Sequence, residues 1–226
     1  MSEVIILAFD TSTSAITAAV HDGSRILAEA AVIDTRRHTE ALAPMVEKSL
    51  QECGLRPADL THIAVGIGPG PFTGLRVGIV TAVTMGYALG VPVHGICSLD
   101  ALAAQAVGDV DGELLVASDA RRKEVYWARY VSADGSAMRT GEPAVNHPLD
   151  LPEEVRALPT VGRGPVLYPE HFRNPRPILD VRAGAIADLA ALEIGSGRHT
   201  EPVPMYLRRP DAQEPGAPKP TLAGGR

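Results

Sequence analysis

Apolar residues run unbroken from Val4 to Phe9, and a second β-capable run extends from Ala15 to Val20. A short continuous apolar run bounded by turn residues predicts a buried strand. Between Val20 and the next strand-like stretch, Arg25 to Val32, stands His21-Asp22-Gly23-Ser24, whose Asp-Gly pair favours a tight hairpin. The chain is therefore expected to open with three antiparallel strands. From about Arg37 to Cys53 the period changes. Leu42, Met45, Val46, Leu50 and Cys53 recur at helical spacing, and Gly54 follows where a C-cap belongs. Pro44 is expected to kink this helix or to lie near its true start.

Thr61 to Gly66 reads as a strand, Gly68 to Gly74 as a Gly/Pro loop, and the segment on to Leu89 as a helix stopped by Gly90 and Pro92. Val91 to Cys97 returns as a strand, and Leu99 to Val107 reads as a helix. Gly108-Asp109-Val110-Asp111-Gly112 then marks the expected boundary between two lobes, residues 1–108 and 109–209. The second half repeats the opening of the first: Glu113 to Ser118 and Glu124 to Val131 read as strands, with a hairpin-like Ser132 to Gly135 after them. An acidic helix is expected near Asp150 to Leu158, a strand and glycine turn over Thr160 to Gly164, and a helix from about Arg182 to Ile194. Residues 210–226 lose periodicity and are expected to form a disordered tail.

Composition narrows the function classes. With 45% hydrophobic and 21% charged residues in 226, the chain is globular, and its net charge of −6 gives no overall pull toward nucleic acid or an anionic membrane. The first apolar run is cut by Asp10 and lacks a basic leader, so a cytoplasmic protein is expected. Cys53 and Cys97 lack C-x-x-C spacing and read as core residues. None of the seven histidines forms an i, i+4 pair, and H-E-x-x-H and G-x-S-x-G are both absent.

Chemistry concentrates at four places. Asp10, Thr11, Ser12 and Thr13 end the first strand. They offer hydroxyl and backbone donors to a phosphate and a carboxylate to a metal or water, or they satisfy their own backbone in an Asx-type turn. The loop holding Gly68, Gly70, Thr73 and Gly74 suits an anion at a helix N-terminus or a structural tight turn. Its prolines break the dinucleotide fingerprint, and no Gly-Lys-Ser/Thr follows. Gly74, Gly78, Ala82 and Gly86 recur every fourth residue and put a small-residue stripe on one helix face, for the protein's own sheet or for a partner helix. Arg121, Arg122 and Lys123 form a compact basic cluster able to meet RNA or phosphate.

Several segments, in order, carry a family resemblance. They are Ala8-Phe9-Asp10-Thr11-Ser12-Thr13, Arg37-His38-Thr39-Glu40, Gly68-Pro69-Gly70-Pro71-Phe72-Thr73-Gly74-Leu75-Arg76-Val77-Gly78, Ser98-Leu99-Asp100-Ala101-Leu102-Ala103, Asp119-Ala120-Arg121 with Glu124-Val125-Tyr126, and Pro204-Met205-Tyr206-Leu207-Arg208. Together they resemble the bacterial TsaB (YeaZ) family. The resemblance implies an α/β, two-lobed fold of the actin, Hsp70 and sugar-kinase type with ribonuclease-H-like lobes. It also implies a non-catalytic partner of the related catalytic subunit TsaD and the ATPase TsaE. That complex makes threonylcarbamoyladenosine at adenosine 37 of tRNAs reading codons that begin with A.

The same resemblance implies a cleft in which the Asp10 turn and the glycine loop are vestigial phosphate-binding elements. It implies no tightly bound cofactor, ATP belonging mainly to TsaE, and tRNA contact only through the complex. Where the catalytic sister has a His-x-x-x-His metal pair, this chain aligns Ser98 and Leu102, and leucine cannot ligate a metal. No catalytic metal and no transferase activity of the chain alone are therefore expected. The family's partner-binding helices match about His38 to Cys53 and Phe72 to Leu89, which makes Leu42, Met45, Gly78, Ala82 and Met85 the interface candidates, with a homodimer on the same surface in isolation. The alternatives are a nucleotide-dependent kinase of the same superfamily and a metalloprotease, the latter without its ligand set.

Overall fold

The structure, a computed structural model, describes residues 4–33 and 38–208. In chain order its elements are β1 (Ile6–Asp10), β2 (Ala15–His21), β3 (Ile26–Ile33), α1 (His38–Glu52), β4 (His62–Gly66), α2 (Phe72–Leu89), β5 (Val93–Ile96) and α3 (Ser98–Ala104). The second half continues with β6 (Gly112–Asp119), β7 (Val125–Ala133), β8 (Ser136–Arg139), β9 (Ala144–Asn146), α4 (Glu153–Arg156), β10 (Pro159–Val161), α5 (Gly164–Leu167), β11 (Asn174–Pro175) and α6 (Ala183–Gly195). The tail expected from residue 210 and the basic Arg209 lie outside the described residues.

The first sheet has the order β3-β2-β1-β4-β5, with an antiparallel meander joined to two parallel strands. The second runs β11-β10-β6-β7-β8, the same arrangement in mirror listing, with β9 also paired to β7. The internal repeat legible in the strand runs is thus a repeat of ribonuclease-H-like topology. The unbroken apolar run of β1 has its cause in this placement, because both faces are covered. Leu7 and Phe9 enter a core with Leu42, Val46 and Leu50 of α1 and Leu75, Ile79 and Ala82 of α2. Ile6 and Ala8 point the other way, into a core shared with α3, α6 and the second sheet.

Four expectations shift. The helix expected over Leu99 to Val107 starts one residue earlier and ends at Ala104, and the acidic helix near Asp150 shrinks to the single turn α4. Pro44 sits inside α1 on its solvent side, the seventh residue from His38. Helix α6, although it follows Gly108 by some seventy residues, packs on the first sheet: Gly184 N–H donates to Glu29 Oε1 at 2.8 Å, and a Cβ on Gly184 would stand 2.4 Å from Ile26 Cδ1.

After α6 the chain forms a strap that covers the β5 edge. Gly95 N–H donates to Thr200 O and Met205 N–H to Ile67 O, both at 2.8 Å. A Cβ on Gly95 would stand 2.5 Å from Glu201 O, so the strap needs glycine there. Under the strap His94 is buried between His62 and His199, with Glu193 facing it. Burial, then the neighbouring imidazoles His199 and His62, hold its pKa below the ordinary 6.5, against the opposing pull of Glu193. A histidine whose folded pKa is depressed leaves the folded state short of protons, so stability is lost as pH falls below about 6.5. The urea midpoint is expected to fall between about pH 7 and pH 5, and to fall less in His94→Leu. Equal slopes in the two proteins would remove His94 from the cause.

Candidate functional site

Asp10 closes β1 and is fully buried, and burial raises its pKa against the hydrogen bonds that favour the carboxylate. Its Oδ1 accepts from Ser12 N–H at 2.8 Å and its Oδ2 from Ser98 Oγ at 2.7 Å, while the Ser12 hydroxyl donates to the same carboxylate at 2.9 Å. Thr11 Oγ1 donates to Gly74 O at 2.7 Å and accepts from Gly78 N–H at 3.0 Å. The Thr13 hydroxyl stays within its own turn, 3.4 Å from Ala15 N. Of the two readings open for this turn, the Asx-type one describes the geometry found: its acid and hydroxyls are engaged inside the molecule.

The glycine loop packs directly on that turn. Ser98 ties it down twice, its N–H donating to Gly68 O at 2.8 Å and its Oγ accepting from Gly68 N–H at 3.1 Å. A Cβ on Gly66 would lie 1.7 Å from Asp10 Oδ2, and one on Gly70 would lie 2.4 Å from Ser12 O. These glycines permit backbone approach. At the α2 N-terminus Gly74 is buried, whereas Thr73 is exposed. Asp10, Ser12, Gly68 and Ser98 therefore form one clamp, in which the Ser98 hydroxyl serves as a hydrogen-bond relay. Leu102 is fully buried in the shared core.

Ser12, Thr13 and Ser14 face the second lobe across a cleft whose far wall holds Ser118, Asp119, Arg121, Arg163 and Asp180. The cavity between them measures about 20 Å³, room for little more than one water. Arg163 grips Asp180 through two hydrogen bonds, 2.7 and 2.6 Å, and Arg121 pairs with Asp119 at 3.2 Å. The basic cluster forms the β6–β7 turn, with Arg121, Arg122 and Lys123 all exposed and all at positive φ, +60°, +55° and +62°. That conformation is costly for three successive L-residues. The turn is held by Arg121 N–H on Asp119 Oδ1, by His147 Nδ1 at 2.9 Å from Lys123 O, and by Arg208, which donates to Ala120 O and pairs with Glu124. Of the three cations, Arg121 alone lines the cleft.

The interface candidates divide, and the small-residue stripe needs correction. Gly74, Gly78, Ala82 and Gly86 are all buried, and a Cβ on Gly78 would come within 2.5 Å of Thr11 Oγ1. The stripe exists because α2 lies tightly on the protein's own sheet, which removes Gly78 and Ala82 from the surface. Leu42, 2% exposed, is likewise core, while Met45 and Met85 are half-buried at the margin. The outward face of α2 carries Val80, Val83 and Tyr87, which are 62%, 45% and 92% exposed. Sequence reasoning missed these three, although a signal was present: Arg76 is the one charged residue from Phe72 to Leu89, and a helix apolar on all sides has more apolar surface than one sheet covers. By length and composition this helix would also suffice to cross a membrane, but here it packs on the sheet.

Among the described residues no group of three His, Cys, Asp or Glu side chains stands ready to hold a metal ion. Cys97 is buried and its thiol is pushed up to about 12, mainly by desolvation, which leaves it unreactive near neutral pH.

Comparison with known proteins gives a consistent neighbourhood. A family model described as TsaD, tRNA N6-adenosine threonylcarbamoyltransferase, matches residues 26–177. An uncharacterized protein of Mycobacterium tuberculosis is 44% identical over 212 residues, covering 92% of this chain and 93% of the relative. The Escherichia coli tRNA threonylcarbamoyladenosine biosynthesis protein TsaB is 36% identical over 175 residues, covering 73% of this chain and 74% of its own. The structure of YeaZ from Pseudomonas aeruginosa superimposes with a TM-score of 0.80 at 29% identity, covering 90% of this chain and all of that one.

Proposed function

The chain belongs to the TsaB (YeaZ) family, within the group matched by the TsaD model, and from that premise we propose that it is a non-catalytic subunit for threonylcarbamoyl transfer to tRNA. Its partner in this reading is a TsaD-type catalytic subunit, with the ATPase TsaE joining the assembly. The observation that carries the proposal is the outward face of α2, where Val80, Val83 and Tyr87 leave apolar surface uncovered on a helix that already fills its own core. Contiguous exposed apolar surface of this kind is characteristic of association sites. In the absence of the catalytic subunit the same face joins two copies of the chain.

The chemistry of the clamp supports a supporting role. Ser98 and Leu102 supply no metal-ligand pair, and the Asp10 carboxylate is already occupied by Ser12 and Ser98. A cavity of about 20 Å³ is far below the roughly 300 Å³ at which small-molecule pockets begin, so in this reading the cleft between Ser12 and Arg163 is not a nucleotide site. With a net charge of −6 it meets tRNA through the complex, where Arg121, Arg122 and Lys123 are its candidate phosphate contacts. The site of action is the cytoplasm, where tRNA is processed.

Mixing the purified protein with the TsaD-type subunit of the same organism is expected to give a heterodimer by light scattering. Failure to associate, with or without ATP, would sink the proposal. The competing reading, a nucleotide-dependent kinase, draws on Asp10 and its hydroxyl-rich turn. Calorimetry with ATP and Mg²⁺ separates the two, because tight metal-dependent binding and hydrolysis by this chain alone would favour the kinase.

A further inference from the structure

The outward side of α2 reads as a single stripe. Phe72, Arg76, Val80, Val83 and Tyr87 follow one another at intervals of four, four, three and four residues, and all are exposed. That spacing is the seam along which helices pair. Every member of the stripe is apolar or aromatic except Arg76, and α2 contains no acidic residue. The contacts that Arg76 makes are with neutral groups. Its guanidinium carbon lies 3.7 Å from the centroid of the Phe72 ring, and its Nε donates to the Tyr206 hydroxyl at 2.9 Å. Tyr206 arrives on the strap, 130 residues further along the chain, and its ring packs on Phe72 with centroids 5.5 Å apart.

A long cationic side chain loses rotamer freedom when a partner fixes it, and much less when it is already held. Stacking on Phe72 and the bond to Tyr206 hold Arg76 beforehand, and with Nε engaged the two terminal nitrogens are the donors that remain. Beside them is an open depression lined by Phe72, Thr73, Arg76, Val77, Val80 and Thr81. Whatever covers the stripe covers Arg76 with it. A guanidinium desolvated in an apolar seam without a counter-charge opposes association, so the covering surface must bring an anion to this point. A carboxylate matches the planar pair of terminal nitrogens. The apolar residues on either side favour a protein carboxylate over an RNA phosphate, because nucleic-acid-binding faces are polar and carry many cations.

We propose that Arg76, held by Phe72 and by Tyr206 of the strap, is the specificity-setting contact of the α2 face and receives an aspartate or glutamate of the TsaD-type subunit. The inference rests on the proposed function and deepens it by naming the chemistry the partner must present. Tyr206 is a positioning residue, through which the end of the described chain takes part in a site on the first lobe. A second copy's α2 has no acid with which to answer Arg76, so this residue favours the catalytic subunit over self-association.

The test is calorimetric titration of the full-length protein and its variants with the TsaD-type subunit at low and at moderate salt. Arg76→Leu and Arg76→Lys are each expected to weaken the heterodimer about tenfold or more, and Arg76→Leu to flatten the salt dependence of affinity. Tyr206→Phe keeps the ring stack and deletes the hydroxyl. It should weaken binding about threefold on its own and have no further effect beside Arg76→Leu, a coupling that a merely structural role would not give. Self-association by light scattering should hold or tighten in Arg76→Leu, and circular dichroism checks that each variant is folded. Heterodimer affinity unmoved by Arg76→Leu but abolished by glutamates at Val80 and Tyr87 would overturn this inference and leave the proposed function standing. Equal weakening of heterodimer and homodimer would also overturn it, as would loss of tRNA from the assembled complex with heterodimer affinity unchanged, which would assign Arg76 to a phosphate. Failure of the unaltered protein to associate would remove both readings.

Discussion

Placing glutamate at both Val80 and Tyr87 is expected to weaken association with the TsaD-type subunit about a hundredfold and to shift Tm by less than about 2 °C. Both side chains already face solvent in the isolated chain, at 62% and 92% exposure, so charging them removes no packing from the fold. The loss falls in the complex, where two carboxylates would be desolvated without partners. Titration calorimetry and light scattering measure the affinity, and differential scanning calorimetry measures the Tm. Unchanged affinity would move the interface away from α2, and a large fall in Tm would mean that these residues pack internally.

The second large effect is expected on stability. In Gly66→Ala the new methyl would sit 1.7 Å from Asp10 Oδ2, and that carboxylate cannot swing aside without abandoning Ser12 and Ser98. Overpacking and broken buried hydrogen bonds together should cost about 3–5 kcal/mol, a Tm fall of about 10 °C for a chain of this size. Gly78→Arg belongs to the same class: its Cβ alone would press on Thr11 Oγ1, so reduced partner binding by this variant would reflect damage to the fold. If Gly66→Ala melts within about 2 °C of the unaltered protein, the Asp10 clamp is not the support described here.

The strands were legible because burial on two faces writes itself as unbroken apolar runs, and the turns because Gly23 and Gly54 stand where the backbone takes a positive φ, which glycine adopts at no steric cost. Short elements were harder. One-turn helix α4 has too few residues to display a period, and the true end of α3 depends on packing against α6, which lies far away in sequence. The site followed the same division. Asp10 and the glycine loop could be named from residue type, but whether the hydroxyls point outward or into a clamp depends on the crossover that brings Ser98 beside them. The stripe through Gly78 and Ala82 was correctly located on one helix face, and its direction could not be read, since close approach to one's own sheet and to a partner require the same small residues. His94 carried no sequence signal, because its neighbours come from β4, α6 and the strap rather than from helical spacing.

Helix α6 has a consequence for how the molecule can be divided. The two sheets share one topology, which invites treating residues 1–108 as a unit that could be made, exchanged or inherited alone. Yet Ile6, Ala8 and Ala64 are covered by a core to which α6 and the second sheet contribute. A fragment ending at Gly108 would carry an exposed hydrophobic sheet face into solution and be driven toward aggregation. Duplicated in plan, the halves are expected to fold only together, because the last helix closes the first sheet.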